Sequence, residues 1–540
     1  MEDKQIVKFT QKHFLLKNVL PVECLDLLLS MHNKFQIERN NILQQTQKYL
    51  SNFDKDLSLR LRPEMHAIRA HKWIARAYPE NLQKRMVEIT APPNKKEVVN
   101  ALNSSADVFM ADFEDALSPI WPNILGGHYN LMKAIKKNLR FYDPQKSKEY
   151  HVQHIHSQIM IRPRSLFKEE SHLLIDNAAI SASIFDITVY AYHNHKILKE
   201  QLNQTCNFYL PKIKNIEEAI FWNQMLMYLE KQLGVQTNTF KVTVIIESVT
   251  ALLEIEEIIF AFKHRIIGVN TGRWNYLFSV VKRFQLSPNS FIDSRNKINM
   301  EDQFMFNFNR YVVHIAHKRG IHAIAGASNY VPREHFPKAT LQARQQLVRE
   351  KKEEANEGFD GSWVTHPMLV ETAQKCFSMV IRNAPNQKQK FEEEEFKLSF
   401  DQIFAFINSK VGAHRVISVQ KADILKSIRV CIIYYFNWLK GIGAVAFENL
   451  MEDAATTEIC RAQLWIWVQN RVTVADKEKQ LTLERLLKYI DKESGRIKTH
   501  DKLTHFQAKS LLKTLIKQPT LVESFMEIAY PLLDKHQAKL

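Results

Sequence analysis

Over the first part of the chain, apolar residues recur at three- and four-residue spacing, in LPVECLDLLLSMHNKF and ERNNILQQTQKYL. That spacing predicts helices up to about residue 85. From about residue 86 the period changes. Short β-rich runs alternate with helical stretches: MVEIT, VFMADFED, SQIMIRPR, SIFDITVY, CNFYLPK, VTVIIES, RIIGVN, HAIAGA and SWVTHP. Strands separated by helical connections form parallel βα units. These are nine candidates, where eight would close a (β/α)8 barrel. One of them is therefore an extra strand or no strand at all. Around 385–397 the sequence PNQKQKFEEEEFK is strongly charged and reads as a linker or a solvated helix start. Helical spacing returns from about 398, in ICRAQLWIWVQNRV, LERLLKYI, HFQAKSLLKTLIK and SFMEIAYPLLDKH. The pattern thus predicts an N-terminal helical part over 1–85, an α/β part forming a (β/α)8 barrel over 86–384, and a C-terminal helical domain over 385–540.

The candidate strands carry chemistry at their ends. VFMADFEDALSPIWPNI begins with the apolar run Val108, Phe109 and Met110 and then turns acidic at Asp112, Glu114 and Asp115. A strand that is hydrophobic up to a carboxylate-rich C-terminal end suits the active mouth of a parallel barrel. On an extended chain Asp112 and Glu114 would point to the same side. Arg162 and Arg164 end another run, Lys212 and Glu247 end two more, and Asn270 and Arg273 follow the next. One polar strand end is an accident, but five together form a candidate site.

Composition narrows the class. Hydrophobic residues make up 45% of the 540 and charged residues 24%, which is ordinary for a soluble globular protein. The five cysteines are scattered with no CxxC pair, against a disulfide framework or zinc site and for a reducing compartment. MEDKQIVKFTQKH has no apolar h-region, so no secretory signal is read there. The longest apolar run, near Val430 to Leu439, is too short to span a bilayer, so no membrane partner is expected. The net charge of +16 raises the question of nucleic acid. No Lys/Arg block or nucleic-acid motif accompanies it, and a spread basic surface also suits solubility or polyanionic small molecules such as nucleotides. Nucleic acid is therefore not expected as a partner. Glycine is scarce, at 13 residues.

The segments MADFEDALSPIWPNILGGHYNL, IMIRPRS, VIIESVTALLEIEEIIF, IIGVNTGRWNYLFS, AHKRG and NLMEDAATTEICRAQLWIWV together are similar to malate synthase of the shorter A-type form. The likeness runs from about residue 60 to 500, with the motifs in the family's order. It implies an enzyme of the glyoxylate cycle that condenses acetyl-CoA with glyoxylate and hydrolyses the thioester to malate and CoA. It also implies Mg²⁺ in a (β/α)8 barrel flanked by an N-terminal helical clasp and a C-terminal helical domain. Asp453 matches the family's catalytic base, although an Asp is also favoured there simply as a helix N-terminal carboxylate. Arg162 matches the essential arginine, whose guanidinium would stabilise negative oxygen. An ion pair of Arg162 with Asp112 or Glu114 is the structural alternative, and both can hold. Glu247 matches the first Mg²⁺ ligand. Asp112 and Glu114 match supporting carboxylates near the ion.

The sequence departs from the family at several matched positions. The second Mg²⁺ ligand is an aspartate in the family's GRWDY; here GRWNY places Asn275 there, which offers a carbonyl oxygen without charge. RPRG is RPRS, with Ser165, and the following WHL is Leu166, Phe167 and Lys168. FEDS is FEDA, with Ala116, and a glycine pair after HKRG is reduced to Ala325-Gly326. A lost glycine matters where the backbone adopts positive φ. Two readings stay open: a diverged working enzyme with weaker Mg²⁺ affinity, or an impaired or altered-substrate relative serving as a ligand-binding or regulatory protein. The expected compartment is the cytoplasm, with a peroxisomal address in the terminal AKL as the alternative.

Overall fold

A computed structural model describes residues 5–56, 59–144, 147–286, 292–298, 302–332, 336–390, 400–403, 418–475 and 479–537. The terminal AKL and all of the acidic part of 385–397 lie outside them. The chain divides into two compact units. The first takes residues 1–49, 60–272 and 312–393, and the second takes 50–59, 273–311 and 394–540.

The first unit is built on eight parallel strands: β1 (Val87–Ala91), β2 (Val108–Asp112), β3 (Gln158–Arg162), β4 (Asn207–Leu210), β5 (Lys241–Ile246), β6 (Ile266–Thr271), β7 (His322–Ser328) and β8 (Gly361–Val364). They pair in sequence order, and β8 returns to β1, so the barrel is closed. Most of their side chains are buried, because helices cover the outer faces while side chains fill the interior. Val108, Met110, Met160, Tyr209, Ile245, Ile267, Ile324 and Trp363 form the interior core.

SIFDITVY is the ninth candidate, and it is not a strand. It lies in helix α2 (Ala182–Leu202). Every residue from Ala182 to Ala191 is buried, so no polar face reveals the helical period. The helix starts where the Ser181 hydroxyl accepts from the Ile184 N–H. The N-terminal part also differs from the all-helical expectation. It holds the long helix α1 (Val22–Asp56), but Val7–Phe9 is a strand, paired antiparallel with Glu169–Ile175. Its partner lies far along the chain, which local periodicity does not register.

The barrel interior also holds a fully buried polar cluster near the N-terminal strand ends. Arg85 donates from Nε to Glu88 Oε1 at 2.7 Å, and from Nη2 to the Tyr209 hydroxyl at 2.8 Å and Thr243 Oγ1 at 3.0 Å. The Tyr209 hydroxyl and Trp363 Nε1–H both donate to Glu88 Oε2, the latter at 2.9 Å. Register explains the meeting: Glu88 faces Trp363 across β1 and β8, and Tyr209 faces Thr243 across β4 and β5. Gly268 leaves the space, since a Cβ there would stand 3.0 Å from Arg85 Nη1.

The second unit is mainly helical. It includes α3 (Arg273–Arg283), α4 (Lys421–Leu439) and α5 (Ala454–Gln469), followed by helices over Leu483–Arg496, Lys502–Ile516 and Met526–Gln537. α5 is buried almost throughout and packs on α3 and α4, with the Arg461 guanidinium over the Phe278 ring at 5.4 Å. No described helix is long and apolar enough to cross a membrane.

Candidate active site

The C-terminal ends of β2 to β5 bring together most of the barrel's candidate residues. Asp112 and Arg162 are register partners at the last positions of β2 and β3. Their side chains meet: Arg162 Nε donates to Asp112 Oδ1 at 2.7 Å, Nη2 donates to Oδ2, and Nη1 lies 3.1 Å from Asp115 Oδ2. The pair is bidentate and buried, which fixes the guanidinium plane. Asp112 also accepts from the N–H groups of Glu114, Asp115 and Ala116, so one carboxylate holds both the arginine and the turn after its own strand. Below, the Trp363 ring carries the Arg162 guanidinium at 5.6 Å from its centroid.

Glu247 follows β5 directly, and it is buried. Its Oε1 accepts from the Lys212 backbone N–H at 2.6 Å. The Lys212 ammonium lies 3.4 Å from Asp115 Oδ2 and 3.7 Å from Glu247 Oε2. Lys212 has φ of 56°, a left-handed conformation uncommon for a side chain of this kind, and that turn aims both its N–H and its ammonium at Glu247. Burial pushes the Glu247 carboxyl up, Lys212 and Arg162 pull it down, and Asp115 adds to the rise. Burial opposes the charge on Lys212, but Asp115, Glu247 and Glu114 outweigh it and hold its pKa well above the ordinary value. Arg162 is likewise held above its ordinary value against burial, by Asp112 and Asp115. Gly272 lets the backbone close on this carboxylate. A Cβ there would stand 2.6 Å from Glu247 Cβ and 3.1 Å from Oε2.

Glu114 does not face Asp112's partner. The chain bends after Asp112, so the two acids do not share one side of an extended strand. Glu114 turns instead to Ser165 and Lys168. Ser165 is not among the residues with positive φ, so the backbone there does not demand glycine. Arg164 points elsewhere, to Asp186 at 2.8 Å and Glu170 at 2.7 Å. Burial works against the Asp186 carboxylate, but Arg164 and His128 prevail and hold it down at about 2.

The family model for the malate synthase TIM barrel domain matches residues 158–406, and the model for the malate synthase C-terminal domain matches 418–533. Malate synthase of Dictyostelium discoideum is 32% identical over 524 residues, covering 95% of this chain and 94% of its own. Malate synthase of Streptomyces clavuligerus is 35% identical over 466 residues, covering 85% of each. That of Myxococcus xanthus is 32% identical over 531 residues, covering 96% and 94%. The chain belongs to the malate synthase family. Membership in the malate synthase family favours the enzyme over the ligand-binding or regulatory alternative left open at Asn275.

The two remaining residues matched to malate synthase motifs lie in the second unit. Asn275 sits in the first turn of α3. Asp453 is the N-cap of α5: it accepts from the Thr456 N–H at 3.0 Å, and its own N–H donates to Thr456 Oγ1 at 2.9 Å. That reciprocal capping box is the helix-terminal role anticipated for an Asp at this position, and it fixes the carboxylate at a helix N-terminus. The packing of α3 on α5 places both residues on adjoining helices of one unit. Sequence reasoning assigned no role to Asp115 and Trp363, both of which touch Arg162, and named Lys212 only as a strand-end cation. The acidic run and the SWVTHP strand carried the only signals for the first two.

Proposed function

We propose that the mouth of this barrel is where the enzyme condenses acetyl-CoA with glyoxylate and then releases malate and CoA. The observation that carries the reading is the Arg162 guanidinium, fixed by Asp112, Asp115 and Trp363 on the strand ends that neighbour Glu247. Mg²⁺ fits here on the chemistry of one buried carboxylate, Glu247, on which the backbone closes at Gly272. Among the described residues no group of three or more His, Cys, Asp or Glu forms a metal cage. Mg²⁺ needs no such cage, because it uses one or two carboxylates and keeps substrate and water oxygens. Glu247 would hold it, and the motif match of Asn275 to the family's second ligand implies an uncharged oxygen donor in place of a carboxylate. When bound, the ion polarises the aldehyde of glyoxylate as a Lewis acid.

The chain's own groups supply the rest. Arg162 cannot lose its proton and cannot swing away from its two carboxylates, so it presents a preorganised charge where oxyanion character develops. Lys212 adds a second fixed cation. Asp453 takes a proton from the acetyl methyl group, and the resulting enolate carbon bonds to the aldehyde carbon of glyoxylate. Water then cleaves the malyl thioester. Asp112 and Asp115 hold Arg162. Glu114 acts one step further out, through the loop after β3.

The test is malate and CoA formation from acetyl-CoA and glyoxylate by the full chain, beside Asp453→Asn and Asn275→Asp. Turnover by the natural chain, lost in Asp453→Asn and reached at lower Mg²⁺ in Asn275→Asp, is the expected result. No malate from the natural chain at saturating Mg²⁺ overturns the reading. The compartment we propose is the cytoplasm; a fluorescent fusion that collects in peroxisomes through the terminal AKL overturns it.

A further inference from the structure

Among the described residues, the carboxylates Asp112, Glu114, Asp115 and Glu247 and the cations Arg162, Lys168 and Lys212 form ion pairs at the mouth of the barrel. Asp112 and Asp115 hold Arg162, and Asp115 and Glu247 share Lys212. The fourth carboxylate, Glu114, has a cation to itself. Its Oε2 lies 2.9 Å from the Lys168 ammonium, which also donates to the carbonyl oxygen of Glu114 at 2.8 Å. Ser165 adds two donors to the same carboxylate, its N–H to Oε2 at 2.8 Å and its hydroxyl to Oε1 at 3.0 Å. Lys168 is 8% exposed and Glu114 1%. The loop that carries Ser165 and Lys168 is pinned from outside as well. Arg39 of α1 donates from Nε to the Leu166 carbonyl at 2.6 Å and from Nη2 to the Lys168 carbonyl at 3.2 Å. An ammonium held at two points of one residue, on a loop fixed by a buried arginine, cannot leave to uncover its carboxylate.

The site therefore keeps one net negative charge from these seven groups. Affinity of oxygen-ligand sites for divalent cations follows their charge. We infer that Lys168 sets the affinity of the barrel mouth for its divalent cation: by neutralising Glu114 it keeps Mg²⁺ weakly bound and exchangeable. The inference rests on the reading that Glu247 holds Mg²⁺.

The experiment is calorimetric titration of Mg²⁺ into the full chain without substrates. Lys168→Met should tighten binding by about tenfold, and Glu114→Gln should weaken it by about tenfold, because they move the net charge in opposite directions. Lys168→Arg keeps the charge and should stay within about twofold of the natural chain. Ser165→Ala removes a neutral donor only, and it too should stay within about twofold. Equal or weaker binding by Lys168→Met overturns the inference. If that variant fails to fold, unchanged affinity in Glu114→Gln overturns it instead. Glu247→Gln separates the two claims. Its loss of binding supports the placement of Mg²⁺ at Glu247, whatever Lys168→Met does. Its retention of binding overturns that placement, as does absence of Mg²⁺ binding in every variant, and the inference falls with it.

Discussion

Two of the ionic clusters buried in the barrel unit lie towards opposite ends of its strands, and their charge balance differs. Near the N-terminal ends Arg85 and Glu88 pair one to one, closed in by Tyr209, Thr243 and Trp363. Near the C-terminal ends, among the described residues, Asp112, Glu114, Asp115 and Glu247 pair with Arg162, Lys168 and Lys212. The lower cluster is balanced and enclosed, so it can fix shape. The upper one retains charge and strained geometry, seen in the left-handed Lys212 and the raised Glu247 carboxyl. The same buried charges thus serve stability at one end and binding at the other, as parallel barrels divide these tasks.

The largest effect that would break the comparison is at Glu247. Glu247→Gln should cut turnover by about a thousandfold while thermal stability stays level or rises, because a buried carboxylate opposed by desolvation is removed. A clear drop in melting temperature would show the upper cluster to be structural too. Arg85→Met should do the reverse. It leaves Glu88 buried without its cation and should cost about 3–5 kcal/mol in urea unfolding, with turnover per folded molecule unchanged.

How far these assignments were visible in the chain differs residue by residue. The barrel strands were legible because each is a short apolar run ending in a polar group, as at Met110–Asp112 and Ile161–Arg162. SIFDITVY has the same composition, but burial on all sides of α2 hides its period. Arg162 and Glu247 were legible through motif and strand-end position together. Partners were not. Lys168 meets Glu114, and Arg39 meets Leu166, across separations that periodicity does not encode. The Asp112 and Glu114 pairing failed because Asp112 accepts three N–H groups and bends the chain after it.

A smaller effect sharpens the lower cluster through pH. Burial, with the Arg85 and Lys388 charges and against Asp360, lowers His322 from 6.5 to about 3. Between those values the unfolded chain binds a proton that the folded chain refuses. Stability should therefore fall as pH falls through that window, by about 1.4 kcal/mol per pH unit from this group. His322→Gln should flatten the slope by that amount in denaturant titrations taken at several pH values; an unchanged slope would remove His322 from the account. The smallest effect is expected where the clusters meet. Trp363→Phe loses the N–H to Glu88 and part of the surface under Arg162, and should lower kcat by about threefold to tenfold with stability reduced by about 1 kcal/mol. An effect on stability alone would place Trp363 wholly in the lower cluster.

The most direct measurement is CoA release from acetyl-CoA by the full chain, with and without glyoxylate, across a Mg²⁺ titration, for the natural sequence beside Glu247→Gln. The account predicts release that requires both glyoxylate and Mg²⁺ and nearly vanishes in a folded Glu247→Gln variant. Release without glyoxylate, or an equal rate in Glu247→Gln, would contradict it.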